Sequence, residues 1–268
     1  MASTRVSVVT GASAGIGLAV SEKLRARGDR VVMVARGREV LEREAARIGG
    51  EPWVLDVGDL AAAAAFPAQV VARFGSLDVL INNAGAHSRG PFLEVSPEQI
   101  AQMITVNLTA PLVLCRAAIP LMPAGGSIVN VASVAGYAPL PGSTTYSSTK
   151  VGLRYATRAL ALEHPQLHIS AVSPGPVDTG FFGDELDRVT DITFSQPMVT
   201  AEAVADEVLG VLDQSTEVAI PASSGRLATL GYLMPWLYTA LRPSLMRKGA
   251  KKKAAYKALV ASRKQVRG

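Results

Sequence analysis

Tyr146 and Lys150 stand four residues apart in the run Tyr146-Ser147-Ser148-Thr149-Lys150, a spacing that sets both on one face of a helix. A lysine cation beside a phenol favours the phenolate, so such a tyrosine could exchange a proton near neutral pH. Ser133 follows the apolar run 128–131, where its hydroxyl could steady a carbonyl oxygen as charge develops on it. Together these groups could do the acid–base work of reducing a ketone or oxidising an alcohol. Alone, a Tyr-x-x-x-Lys pair also arises on ordinary surface helices, so the elements around it must decide.

A second group of residues suits a dinucleotide. The turn Thr10-Gly11-Ala12-Ser13-Ala14-Gly15-Ile16-Gly17 directly follows the apolar run 6–10 and opens a helical pattern. Its glycines let the backbone turn sharply and approach a pyrophosphate at the positive end of that helix. The spacing is G-x-x-x-G-x-G, a departure from the G-x-G-x-x-G form, and a tight turn with no ligand is the plainer alternative. The next apolar run ends Val34-Ala35-Arg36-Gly37-Arg38, with no acid where one would bond the ribose 2′-hydroxyl of NAD. The planar fork of Arg36 suits a 2′-phosphate, which favours NADP(H), although an exposed arginine needs no such reason.

These groups need a scaffold, and the chain supplies alternating patterns. Strands are predicted at residues 6–10, 30–35, 53–56, 79–82, 127–131, 167–172 and 217–220. Helices are predicted at 16–27, 38–48, 60–74, 97 to about 122, 146–163 and 202–212. Apolar strands separated by helices predict an α/β fold, a doubly wound and mostly parallel sheet covered on both faces. Residues 1–224 are expected to form this dinucleotide-binding and catalytic unit. The stretch 179–200 breaks the alternation and carries Phe181, Phe182, Phe194 and Met198, as a substrate loop would. Those apolar side chains could instead be packing.

The turn 10–17, the run Asn82-Asn83-Ala84-Gly85, Asn107, Ser133, Tyr146, Lys150 and Pro174-Gly175-Pro176-Val177-Asp178-Thr179 come in one order. In that order and spacing the chain resembles the short-chain dehydrogenase/reductase family over about residues 5 to 220. The resemblance implies that Tyr146 is the acid/base and that Lys150 holds the nicotinamide ribose and lowers the tyrosine pKa. It implies that Ser133 orients the substrate oxygen and that Asn107 supports a water in the proton relay. Cofactor contacts are implied at Gly11, Ser13, Gly15, Ile16, Gly17, Arg36, Asp56, Val57, Asn83, Ala84 and Gly85. Others are implied at Tyr146, Lys150, Pro174, Gly175, Val177 and Thr179. Ala14 stands where many NADP-preferring members carry a basic residue, so the preference for NADP(H) rests mainly on Arg36. The partner implied is a small-molecule ketone or alcohol, and the family is usually dimeric or tetrameric. A cofactor-binding regulatory or scaffold protein on the same fold is the alternative, since fold does not fix function.

The rest of the composition bounds this reading. The net charge of +5 hides an asymmetry: no Asp or Glu follows Glu217, while eleven basic residues run from Arg226 to Arg267. The first 217 residues carry sixteen Lys and Arg against twenty-two Asp and Glu, a net of −6. Nucleic acid is not needed to explain the basic end, and none is expected as a partner. Residues 227–241 are strongly apolar, shorter than a spanning helix and interrupted by Pro235. The extension 225–268 therefore reads either as a peripheral membrane contact or as a helix packed on a partner subunit or over the active site. Cys115 is the one cysteine, read as a small core side chain, and its solitude suits a reducing, cytoplasmic setting. His87, His164 and His168 lack metal-ligand spacing and are read as structural or exposed, and no metal is expected.

Overall fold

A computed structural model describes residues 4–179 and 182–267, with the backbone only for 183–185 and 263–267. The strands are β1 (Val6–Thr10), β2 (Arg30–Ala35), β3 (Glu51–Val54), β4 (Val79–Asn82), β5 (Ser127–Val131), β6 (His168–Pro174) and β7 (Glu217–Ile220). All pair in parallel, in the order β3-β2-β1-β4-β5-β6-β7. The order reverses between β1 and β4, and the crevice at such a switch point is where open α/β sheets take their ligands.

Each central strand is β-branched and buried along its whole length, because both sheet faces are covered. Successive side chains point to opposite faces. Val31 and Met33 thus enter one core with α1 (Gly15–Ala26), α2 (Arg38–Ile48) and α7 (Ala201–Gly210). Val32 and Val34 enter the other, with α3 (Leu60–Phe74) and α5 (Ala110–Ala118). The edge strand β3 starts two residues earlier than the pattern predicted, and its alternating half-exposed side chains give a weak apolar signal.

The expected long helix from Pro97 is three pieces: α4 (Pro97–Ile104), a π turn (Thr105–Thr109) and α5. A capping box between Ser96 and Gln99 starts α4. The wider register of the π turn carries Asn107 fully inside. The stretch Pro97–Leu121 is long and apolar enough to cross a membrane by length and composition, but α4 packs on α6 (Thr144–Glu163) and α5 on α3. Cys115 is buried, and burial pushes its thiol up to about 12.

Two helices close the chain, α8 (Ala222–Leu233) and α9 (Pro235–Arg267). Pro235 opens α9 at a position where its missing N–H costs nothing. Pro243 lies within α9. Tyr238, Leu245, Gly249, Lys253, Tyr256 and Val260 recur at helical spacing and face the body, where α9 packs on the 3-10 turn Asp191–Ser195.

Candidate active site

The first turn is held by its own side chains. Gly11 and Gly15 have φ of 67° and 55°, a region that glycine alone enters at little cost. A Cβ on Gly17 would overlap the Gly11 carbonyl oxygen, so α1 can lie this close to the turn only without one. Asn83 Nδ2 donates to the Thr10 carbonyl at 2.9 Å, while the Asn83 and Ala84 N–H groups donate to Thr10 Oγ1 at 3.0 and 3.1 Å. The turns after β1 and β4 are thereby tied across the switch point.

The residues present fit a dinucleotide phosphate. Ala14 precedes α1 and offers no side-chain cap, and no acid lies in the first turn. Ala14, Gly15 and Ile16 line the crevice, and among the described residues no side chain caps this helix start, as an anion site requires. A Cβ on Gly15 would come within 2.9 Å of Thr179 Cβ, so the segment after β6 closes against this turn. That segment is fixed by Gly175 N–H donating to the Ile220 carbonyl at 2.8 Å and by a bridge between Val177 and Val199.

Beside it opens a cavity of about 500 Å³. Gly11, Gly15, Ile16, Asn83, Ala84, Gly85, Ser133, Tyr146, Lys150, Pro174, Gly175, Val177 and Thr179 all line it. The structure therefore brings together most of the residues singled out above. Ser13, Gly17, Arg36, Asp56, Val57 and Asn107 do not line it. Arg36 and Asp56 sit exposed after β2 and β3, 3.9 Å apart, and Asp56 Oδ1 accepts from Gly58 N–H at 2.9 Å. The Val57 side chain is in the core. Asn107 clasps the backbone of Ala86 through both amide atoms, at 2.7 and 2.8 Å, and its Nδ2 reaches Thr149 Oγ1 at 3.3 Å.

At the catalytic end, Ser133 ends the strand run with extended backbone and accepts from Ala135 N–H at 3.1 Å. It also hydrogen-bonds to Tyr146. Lys150, one turn along α6, donates from Nζ to the Val131 carbonyl at 2.9 Å and lies 5.7 Å from the Tyr146 ring centroid. Burial pushes Lys150 down to about 8. Tyr146 sits above its ordinary value because burial outweighs the lowering by Ser133 and then by the Arg89 cation. Arg89 thus joins Lys150 as a cation near the phenol.

Arg89 and His87 were not among the residues that spacing picked out. Both line the cavity. Arg89 is 6% exposed and its guanidinium stands 5.5 Å from the Phe182 ring centroid. His87 stacks on Tyr146 and is pushed down to about 3 by burial, then by Arg89. They lie in the loop after β4, which has no periodicity from which an inward direction could be read.

The far wall is apolar. Phe182, Val189 and Ile192 come from the loop after β6, and Leu227, Tyr238 and Leu245 from α8 and α9. Phe194 and Met198 instead pack behind it with Tyr256, and Phe181 lies outside the described residues. Tyr256 donates to Asp178 Oδ1 at 2.7 Å. Lys253, itself buried, donates to the carbonyls of Asp187 and Val189 at 3.1 and 2.5 Å and stands 3.4 Å from the Asp191 carboxylate. Among the described residues no three His, Cys, Asp or Glu side chains gather as a metal site would need.

The family model for short chain dehydrogenase matches residues 5–190. The chain belongs to the short-chain dehydrogenase family. It is 36% identical over 202 residues to a 2-(R)-hydroxypropyl-CoM dehydrogenase of Xanthobacter autotrophicus, covering 69% of this chain and 79% of that one. It is 38% identical over 184 residues to a cis-4-hydroxycyclohexanecarboxylate dehydrogenase of Sinomonas cyclohexanicum, covering 65% and 74%. A putative ketoacyl reductase of granaticin polyketide synthase from Streptomyces violaceoruber is 36% identical, covering 65% and 68%. Among solved structures, a short-chain dehydrogenase/reductase of Serratia marcescens with two Phe-to-Leu changes superimposes with a TM-score of 0.70 at 27% identity, covering 80% and 95%. The ligand-free aldohexose dehydrogenase of Thermoplasma acidophilum shares the fold, with a TM-score of 0.73 at 24% identity, covering 81% and 92%. This short-chain dehydrogenase is therefore an oxidoreductase that uses a nicotinamide cofactor and acts on an alcohol or ketone.

Proposed function

We propose that this chain is an NADP(H)-dependent enzyme that interconverts a lipophilic ketone and its secondary alcohol, with Tyr146 as the acid/base. The observation that carries the reading is that Ser133, Tyr146 and Lys150 meet in one cavity with the glycine turn at its other end. When bound, the cofactor supplies or accepts a hydride at its nicotinamide ring.

In the reductive direction the Ser133 hydroxyl orients the substrate carbonyl, and Tyr146 delivers its phenolic proton to that oxygen. Lys150, held by the Val131 carbonyl, presents its cation near the phenol and to the ribose hydroxyls. Asn107 fixes the Ala86 backbone and, in this reading, supports the water that refills the proton. Gly11, Gly15, Ile16 and Gly17 hold the pyrophosphate end, Ser13 stands with Arg36 at the 2′-phosphate, and Asp56 and Val57 flank the adenine. Asn83, Ala84 and Gly85 line the adenosine side, and Pro174, Gly175, Val177 and Thr179 hold the nicotinamide. Arg36 selects the 2′-phosphate.

A lipophilic substrate is supported by the wall of Phe182, Val189, Ile192, Leu227 and Leu245. Residues 1–224 then form the cofactor and catalytic unit, and 225–268 an extension that completes the substrate side. The family reading carries with it a cytoplasmic homodimer or homotetramer, which light scattering on the purified chain tests.

Tyr146→Phe separates catalysis from mere cofactor binding. The variant should lower turnover of a ketone panel by about 10²–10⁴-fold, the usual worth of a positioned acid, with NADPH affinity unchanged. Turnover that survives the change would sink the assignment of the proton donor.

A further inference from the structure

α8 and α9 meet at an elbow around Met234 and Pro235. Its outer side is apolar: Leu233 is 70% exposed, Trp236 66% and Tyr232 61%, with Leu230 and Leu241 also exposed. Surfaces of monomers rarely gather large apolar side chains in this way. Set back from the tip along the two helices are exposed cations, Arg226 on α8 and Arg242, Arg247, Lys248, Lys251 and Lys252 on α9. Among the described residues the carboxylates that meet α9, those of Asp178, Asp187 and Asp191, are engaged by Tyr256, Lys257 and Lys253 on its inward side.

We propose that this elbow docks on an anionic lipid surface. An apolar tip bearing a tryptophan and a tyrosine, followed by cations and no acid, is complementary to a membrane interface. The rings sit at headgroup depth and each nearby Lys or Arg adds attraction to anionic lipid. A second copy of the chain is a poorer occupant, since a two-fold contact would set these like charges against themselves. The inward faces of the same helices give Leu227, Tyr238 and Leu245 to the cavity wall. The docked surface is therefore the outer side of the substrate cavity, and an apolar substrate would pass from lipid to the site without entering bulk water. The docking itself stands apart from the catalytic reading, because lipid binding is measured without turnover.

The test sediments the full chain with vesicles of phosphatidylcholine alone or mixed with phosphatidylglycerol. Binding should be about tenfold or more tighter to the anionic vesicles and should weaken with salt. The pairs L233S/W236A and K248E/K251E should each lower it by about tenfold without changing the melting temperature. In a W53F background, which leaves Trp236 as the one tryptophan, its emission should shift to the blue on anionic vesicles. No binding, equal binding to both vesicles, binding indifferent to both pairs or an unshifted Trp236 would overturn the proposal. So would light scattering in which L233S/W236A turns an oligomer into monomers, since the elbow would then be a subunit interface.

Discussion

The imidazole of His87 lies against the ring of Tyr146, with centroids 4.2 Å apart and planes tilted by 33°. Held down to about 3, His87 stays neutral wherever the enzyme works and acts on the phenol as a plate, without charge. His87→Ala should therefore lower kcat/KM by about tenfold through lost positioning, with no histidine inflection in the pH–rate profile of the parent enzyme. Stability carries the opposite signature. A histidine whose folded pKa is depressed supports the fold fully above its ordinary value of 6.5, and that support is lost as pH falls toward 3. The melting temperature should fall with acid through that window, and more gently in His87→Phe.

Lys150 loses its proton at about 8 because it is buried. The kcat/KM for ketone reduction should be flat below that pH and fall above it, as the cation beside Tyr146 disappears. Lys150→Ala should cost about 100-fold or more and should abolish the descending limb. The linked stability again runs the other way. The unfolded lysine keeps its proton up to about 10.5, so this group makes the fold more stable as pH rises from 8 to that value. Denaturant titrations across the two pH ranges read the sign directly.

Arg36 faces Asp56 across 3.9 Å with both side chains more than half exposed, a pair too weak to hold the guanidinium back from a phosphate. Arg36→Ala should weaken NADPH binding by about 10–100-fold, the worth of a charge-assisted hydrogen bond, and leave NADH nearly unchanged. Equal losses for both cofactors would remove the basis for NADP preference.

Gly249 and Lys253 strap α9 to the loop that forms the apolar wall. A Cβ on Gly249 would overlap the Asp191 carbonyl oxygen, and backbone cannot yield as a side chain can. Gly249→Ala should loosen residues 186–195, seen as faster amide exchange there with protection of β1, β4 and β5 unchanged. Lys253→Met leaves the carbonyls of Asp187 and Val189 without their donor, at a cost of about 1–3 kcal/mol. It should raise KM for the ketone more than it lowers kcat.

Much of the site was legible because it is written in local spacing. The Gly11–Gly17 turn, Ser133, Tyr146 and Lys150 each belong to one element whose geometry fixes their direction, and the parallel sheet then brings the elements together. His87 and Arg89 were not legible, since a loop residue's direction is set by what closes over it, here Phe182. Most of the described lysines of α9 are exposed. Lys253 is the exception, because it falls in register with Tyr238, Leu245 and Tyr256. The break expected at Pro235 became the start of α9, as a proline fits a first turn better than it marks an end.

The strap on the substrate loop also sets an order of assembly. In the proposed reading the dinucleotide residues precede 180 and their last segment is pinned by Val199 and Ile220, so a chain emerging from the ribosome completes the cofactor unit before α9. The wall of the loop after β6 is fastened to α9 when Gly249, Lys253 and Tyr256 arrive. A nascent or truncated chain would thus bind its redox partner before it could tell one ketone from another, and selectivity would be the last property this protein acquires.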